Sequence, residues 1–513
     1  KLNAHHHDNL QPNRGSRLPG FRGHHLHHPG TTARCPSPTH SNQRSQIIST
    51  ARRSPLKHIP APWYATFTHH VLKYRTVTGR RMFYIDALHR RHGPVVRISP
   101  DEVSVADPDG YIAIHRMGSG FNKSRFYMDF IGRGEPGIFT MTDPKQHAAR
   151  RKLFARAFTV SSLRENCETL VREKVELAID RIRSEAIRGS ADVHEWWSLM
   201  ATDVIGQLSF GESFEMLENG KKNNYVQALD AVVSATTLRY ELPLLHSFVS
   251  RFPTKSTRLL TTTRGEIAAY SRKAVDNMRQ SKNDNKSNIF ATIMAESEAG
   301  EKTELTDNVI RGEAANMLFA GSDTLSSSLT YLVWAVLKRP ELQKRLEEEV
   351  AGLEDGFNDE ALEKLPLLNA MINESLRLYG AVPGTTPRVT PPAGATIGGY
   401  HIPGGTIVTT QVYTTHRLPE VFPDPLKFDE TRFLPGVPNE KQKRIFSPFG
   451  TGSRSCIGVA LARMEMRLAV ALLFKRCAGI RLADTMTDEM MEMVSYIVMK
   501  PAGNRCDVTL SCD

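Results

Sequence analysis

The sequence predicts a mostly α-helical domain with a minor β part, and three observations carry that expectation. Long stretches repeat their apolar residues at helical spacing. Strand-like runs are few and short. Between residues 55 and 513 no internal repeat and no shift in composition divides the chain, so one large α+β domain is expected.

Taken in order, residues 1–54 are rich in His, Arg, Pro, Gly and Ser and show no apolar period. A disordered, basic leader of doubtful authenticity is expected there, with the true start elsewhere, because the chain begins at Lys1. Its histidine runs (His5–His7; His24, His25, His27, His28) have metal-ligand chemistry, but disorder is the simpler reading. The folded part begins at "PLKHIPAPWY" (55–64). Helices are predicted over "DPKQHAARRKLFARAF" (143–158), "RENCETLVREKVELAIDRIRSEAI" (164–187) and "NVIRGEAANMLFAGSDTLSSSLTYLVWAVL" (308–337). "PELQKRLEEEVAGL" (340–353), "LPLLNAMINESLRLYG" (365–380) and "IGVALARMEMRLAVALLF" (457–474) follow with the same pattern. Strands are predicted within 93–99, 405–413 and 495–501, and turn-rich stretches within 381–405 and 416–455.

Charge and cysteine content narrow the function. The net charge is +11, but residues 1–55 hold eight Lys/Arg against Asp8, which leaves about +4 on the rest. With no nucleic-acid motif in a near-neutral body, a nucleic-acid partner is not expected. The six cysteines are scattered with no C-x-x-C pair, which argues against zinc and iron–sulfur frameworks and fits a reducing compartment. No apolar run is long enough to cross a membrane as a helix.

One cysteine stands apart. In "FSPFGTGSRSCIGVALARMEM" (446–466), Cys456 is flanked by Gly450, Gly452 and Gly458 and followed at once by a helical pattern. Its sulfur is therefore expected near a helix N-terminus, where unpaired N–H groups and the nearby Arg454 favour a thiolate. The plain alternative is a buried helix-end cysteine.

The stretch "FGTGSRSCIG" resembles the haem-binding pattern F-G-x-G-x-R-x-C-x-G of cytochrome P450 at every fixed position. The resemblance implies the P450 fold, with haem (heme b) between the central helix and the cysteine-loop helix. It implies Cys456 as the axial thiolate metal ligand, Phe449 packed beside the sulfur, Gly450 and Gly458 close to the cofactor, and Arg454 on a propionate. His147 and Arg151, four apart on one helical face, are implied as further propionate ligands, as is Arg388 in "TTPRVT". In "NESLRLYG", Glu374 and Arg377 share a helix face and resemble the family's E-x-x-R pair, with Arg432 of the later loop as third member. Glu430 stands where the family usually has proline. "AGSDT" (320–324) resembles the oxygen-binding groove, with Gly321 and Thr324 opening the helix hydrogen bonds and Asp323 and Thr324 relaying protons.

The implied activity is a monooxygenase inserting one atom of O2 into a lipophilic small molecule, most like fungal microsomal members of secondary metabolism. Isomerase, peroxide-using, NO-reducing and non-catalytic haem-binding roles are the alternatives; the Asp323–Thr324 pair favours monooxygenation. NADPH-cytochrome P450 reductase is the implied electron donor, on the cytosolic face of the endoplasmic reticulum membrane. Its docking face is expected where Lys441, Lys443 and Arg444 meet Lys145, Lys152 and Arg156. The substrate pocket is expected to draw on 120–139, the segment near 208–250, 316–320, 381–386 and 494–497; Phe121, Phe126, Tyr127 and Phe130 suggest an aromatic lining, and core packing explains such aromatics equally well.

Overall fold

The computed structural model describes residues 53–131, 136–227 and 306–511, with 49, 51 and a few short pieces between 239 and 293. The expected leader up to residue 48 lies outside the described residues. Helices dominate what is described. α1 (Pro108–His115) and α2 (Pro144–Ala155) both start with proline behind an aspartate cap, Asp107 accepting the Gly110 amide and Asp143 that of Gln146. A proline in the first turn loses no hydrogen bond, and the carboxylate satisfies an orphan N–H.

The single helix expected over 164–187 is two. Buried Cys167 leaves helical geometry at φ −125°, separating α3 (Val160–Asn166) from α4 (Glu168–Arg188). α5 (Val193–Phe210) ends at Gly211, whose φ of 74° only glycine adopts cheaply. The 31-residue α6 (Asp307–Leu337), capped by Thr306, packs along α5. At the crossing, a Cβ on Gly321 would come within 2.9 Å of Ile205 Cγ1, so the glycine permits close approach of two helices. α7 (Pro340–Ala351) and α8 (Pro366–Tyr379) follow, then the short α9 (Glu440–Ile445) and α10 (Val459–Arg476). α10 is buried from Met464 to Phe474 because α4, α6, α7 and α8 surround it. One continuous apolar core joins these helices.

The β part is small. β1 (Val95–Ser99), β2 (Glu102–Val105), β3 (Asn122–Lys123), β4 (Arg388–Val389) and β5 (Ile407–Thr409) form one sheet in the order β1–β2–β5–β4–β3. β2 and β5 run parallel, and every other neighbouring pair runs antiparallel. The register sets Lys123 directly opposite Arg388. The strand-like stretch at 495–501 belongs to a hairpin, β6 (Met493–Ser495) and β7 (Met499–Pro501), in which the chain reverses over Tyr496–Val498. Phe121 packs on the sheet's own apolar cluster with Val105, Ile397 and Val408. Of the two readings of this ring, core packing is the one its contacts support. The Phe130 side chain lies outside the described residues.

Candidate active site

The cysteine loop leaves α9 and turns into α10. The Cys456 N–H donates to the Phe449 carbonyl at 2.8 Å, which folds the loop back on itself. Gly452 has φ +69°, and a Cβ there would sit 2.0 Å from the His115 carbonyl oxygen. Any side chain would push the loop off α1. Cys456 keeps open surface although protein surrounds it. Burial pushes its thiol up, against the Gly458 amide and Arg151, which pull it down. A bound metal cation reverses such a balance, since a coordinating thiol is deprotonated. The other described cysteines, Cys167, Cys477 and Cys506, are buried in packed core.

Five basic side chains gather beside this loop. Arg454 donates to the carbonyls of Met141 (2.8 Å) and Thr142 (3.2 Å). Arg151 donates to the Ser455 carbonyl (2.7 Å) and hydroxyl (3.2 Å), tying α2 to the residue before Cys456. Arg388 is buried and donates to the Tyr127 hydroxyl at 3.2 Å. Lys123, also buried, donates to the Phe139 carbonyl and lies 4.3 Å above the Tyr127 ring. Burial, then Arg388 and Arg454, drive the Lys123 ammonium well below the lysine range. His147 falls to about 3 through burial and then Arg454, Lys123, Arg151 and Arg388. Among the described residues no carboxylate pairs with Lys123, Arg151, Arg388 or Arg454.

Buried like charges facing one another across β3 and β4 are unfavourable by themselves. A dianionic ligand placed among them would offset that cost. A haem, with two propionates and an iron that takes a thiolate, fits both the cation group and Cys456. Sequence reasoning singled out Arg388, Arg454, His147 and Arg151 and passed over Lys123, although "NKSRFY" lies inside the stretch read as pocket wall. Single lysines carry no periodic signal; the strand register opposite Arg388 is what marks this one.

On α6, Ala320 is exposed and Gly321, Asp323 and Thr324 are half-buried, in a helix that is otherwise mostly buried. That turn faces open space inside the fold. The expected opening of the helix is not seen: α6 continues unbroken, and the Thr324 hydroxyl donates to the Ala320 carbonyl at 2.5 Å. A mid-helix threonine commonly satisfies its hydroxyl this way. Seven residues before Ala320, buried Glu313 accepts the Ile138 amide (2.9 Å) and Arg150 (2.7 Å). That anchor between α6, α2 and the 137–142 loop was not read from sequence.

The Glu374–Arg377 pair is fully buried and joined by two bonds of 2.7 Å. Arg377 also donates to the carbonyls of His416, Pro425 and Lys427. Arg432 approaches Glu374 to 3.5 Å, as expected. Glu430, at the usual proline position, is buried and paired with Arg345 at 2.7 Å.

Comparison with known proteins agrees with this geometry. The family profile described as "Cytochrome P450" matches residues 59–506. This chain belongs to the cytochrome P450 family. It is 42% identical over 480 residues to cytochrome P450 monooxygenase stcB of Emericella nidulans, covering 91% of each chain. It is 41% identical over 479 residues to cytochrome P450 monooxygenase aflV of Aspergillus parasiticus, covering 91% of this chain and 93% of the other. A methylphloroacetophenone oxidase of Cladonia uncialis is 35% identical over 408 residues, with 75% of this chain and 87% of that one covered. The crystal structure of the cytochrome P450DA heme domain superposes with a TM-score of 0.72 at 18% identity, over 88% of this chain and 98% of that chain. The P450 fold is thus shared where sequence has largely diverged. This P450 is a monooxygenase of the kind found in fungal secondary metabolism, with haem iron as its cofactor and O2, a redox partner and a lipophilic substrate as the family's requirements.

Proposed function

We propose that the protein is a haem-thiolate monooxygenase that inserts one oxygen atom into a lipophilic, aromatic secondary metabolite, using electrons from NADPH delivered by a P450 reductase. The observation that carries it is the accessible Cys456 beside a group of basic side chains that, among the described residues, no carboxylate pairs with. Bound haem b supplies reductive activation of O2; Cys456 holds it through iron, and Arg388, Arg454, Lys123 and His147 hold its carboxylates.

The chain's own groups do the rest. Thr324 donates its proton to the Ala320 carbonyl, so its oxygen is left as an acceptor able to hold a proton-bearing group in the adjoining space. Asp323, the next residue, supplies the titrating carboxyl for proton delivery. Phe126, Tyr127, Phe139 and Tyr240 form a run of edge-to-face rings 5.1–5.5 Å apart, which favours a flat apolar substrate. One relative's name, methylphloroacetophenone oxidase, points the same way. Membrane association at the endoplasmic reticulum is supported by exposed Trp63, Phe67 and Tyr74; among the described residues no helix is long and apolar enough to cross a membrane.

The test is a carbon monoxide difference spectrum with NADPH consumption in the presence of reductase. A thiolate Soret band with substrate-dependent NADPH use supports monooxygenation. A thiolate band with turnover from peroxide alone indicates a peroxide-using enzyme, and no turnover at all a haem binder. Thr324→Ala is expected to keep NADPH use while peroxide replaces oxygenated product; an unchanged yield per NADPH would remove Thr324 from the relay.

A further inference from the structure

We infer that His416 is a positioning residue for the haem ligand: a neutral imidazole that ties the Cys456 loop to the Glu374–Arg377 helix. This rests on the reading of Cys456 as the thiolate ligand. His416 is fully buried between α8 and the start of the cysteine loop. Its Nε2 accepts the Ser447 N–H at 2.9 Å, and its Nδ1 lies 3.3 Å from the Arg377 carbonyl oxygen. An amide N–H can only donate, so Nε2 is the acceptor, the proton sits on Nδ1, and Nδ1 donates to Arg377. Arg377 returns the contact by donating to the His416 carbonyl at 2.9 Å.

Ser447 is held on its other side as well. Its hydroxyl shares a 2.6 Å hydrogen bond with buried Tyr111 of α1 and donates to the Ile445 carbonyl. The Phe446 ring lies 5.4 Å from the imidazole. Two residues on, Phe449 begins the turn that accepts the Cys456 amide. The imidazole therefore fixes, against α8, where the loop leaves α9, and the loop sets where the sulfur points. Burial, with Arg377 and Arg417 alongside, keeps the ring neutral, as the acceptor role demands. The Glu374–Arg377 pair thereby gains a physical route to the sulfur: it fixes the carbonyl on which His416 hangs.

His416→Phe keeps a ring of similar size but loses both bonds; His416→Gln keeps an acceptor for Ser447. The ferrous carbon monoxide spectrum of the haem-loaded protein and amide hydrogen exchange at Ser447 are the readouts. In His416→Phe, Ser447 exchange should quicken about tenfold or more, as for one buried hydrogen bond lost. The fraction of haem without a thiolate band should rise severalfold at unchanged haem content, and His416→Gln should restore most of both. A wild-type share of thiolate band with unchanged Ser447 exchange in His416→Phe would overturn the inference. Where His416→Phe fails to fold, His416→Gln against His416→Asn decides, because only the longer side chain reaches Ser447; equal spectra would overturn it. A Cys456→Ser arm keeps the two readings apart. A thiolate band surviving there sinks the ligand reading itself, whereas its loss beside a wild-type His416→Phe spectrum sinks only the strut.

Discussion

Arg377 closes two 2.7 Å hydrogen bonds on Glu374 with neither side chain open to solvent. Burial on this scale makes the pair costly to break, because the surviving charge has no solvent to turn to. Glu374→Ala leaves Arg377 with three carbonyls but no counter-charge, at a cost of about 3–5 kcal/mol. That is a large share of a domain's stability. Loss of folded, haem-loaded protein is expected, read as haem per polypeptide after purification. Normal yield and normal haem content would show that the pair is dispensable.

The cation group gives a prediction with two signs. Lys123 and Arg388 oppose each other across β3 and β4, and among the described residues no carboxylate pairs with either. Lys123→Met should therefore raise the melting temperature of haem-free protein while weakening haem retention. Loss of one charged hydrogen bond is worth about 1.5–3 kcal/mol, or roughly tenfold or more in haem release to a scavenger protein. A variant that loses haem-free stability and keeps its haem would show that Lys123 serves the fold alone.

Electron delivery should depend on salt. The Arg151–Ser455 and Arg454–Met141 bonds bring α2 against the cysteine loop, and Lys145, Lys152, Lys441, Lys443 and Arg444 are exposed on those segments. Lys443 is paired with Glu440 at 2.8 Å, which lowers its contribution to the field. An acidic donor protein would be steered to such a face, chiefly through its association rate. Raising ionic strength should slow reductase-driven turnover and leave peroxide-driven turnover nearly unchanged. Lys152→Glu should act likewise. Insensitivity of the reductase-driven rate to both would place the docking face elsewhere.

Acid should undo the His416 strut. Burial, then Arg377 and Arg417, hold its folded pKa at about 3 against an ordinary 6.5. The unfolded chain takes the proton first, so the stability that neutral His416 supplies is complete above pH 6.5 and is lost as pH falls toward 3. The slope is about 1.4 kcal/mol per pH unit for one such group. His416→Gln has nothing to titrate, and its stability should fall less steeply between roughly pH 6 and 4. Parallel profiles for the two proteins would mean that His416 is protonated in the folded state.

Much of the fold was legible because its helices are long and apolar-periodic. α6, α7, α8 and α10 lie within a few residues of their expected bounds. The misses share one cause: local pattern says little where tertiary contacts decide. Cys167 breaks a periodic stretch because its side chain is wanted in the core. Phe121 read equally well as pocket lining or as core, and only its contacts on the sheet favour the core. The site divides the same way. Cys456, Arg454, Glu374 and Arg377 lie in dense motifs and were readable. Lys123, Glu313, His416 and Ser447 owe their roles to partners distant in sequence, reached through contacts that no motif records.

The most direct measurement is the ferrous carbon monoxide spectrum of purified Cys456→Ala and Cys456→Ser beside the wild-type protein. Cys167 and Cys477, their thiols pushed up to about 11 by burial, are locked in packed core and cannot stand in. The thiolate Soret band is expected in the wild-type protein and in neither variant, with Cys456→Ser retaining more haem than Cys456→Ala. A thiolate band that persists in Cys456→Ala would contradict the assignment of the haem ligand and, with it, the proposed chemistry of the site.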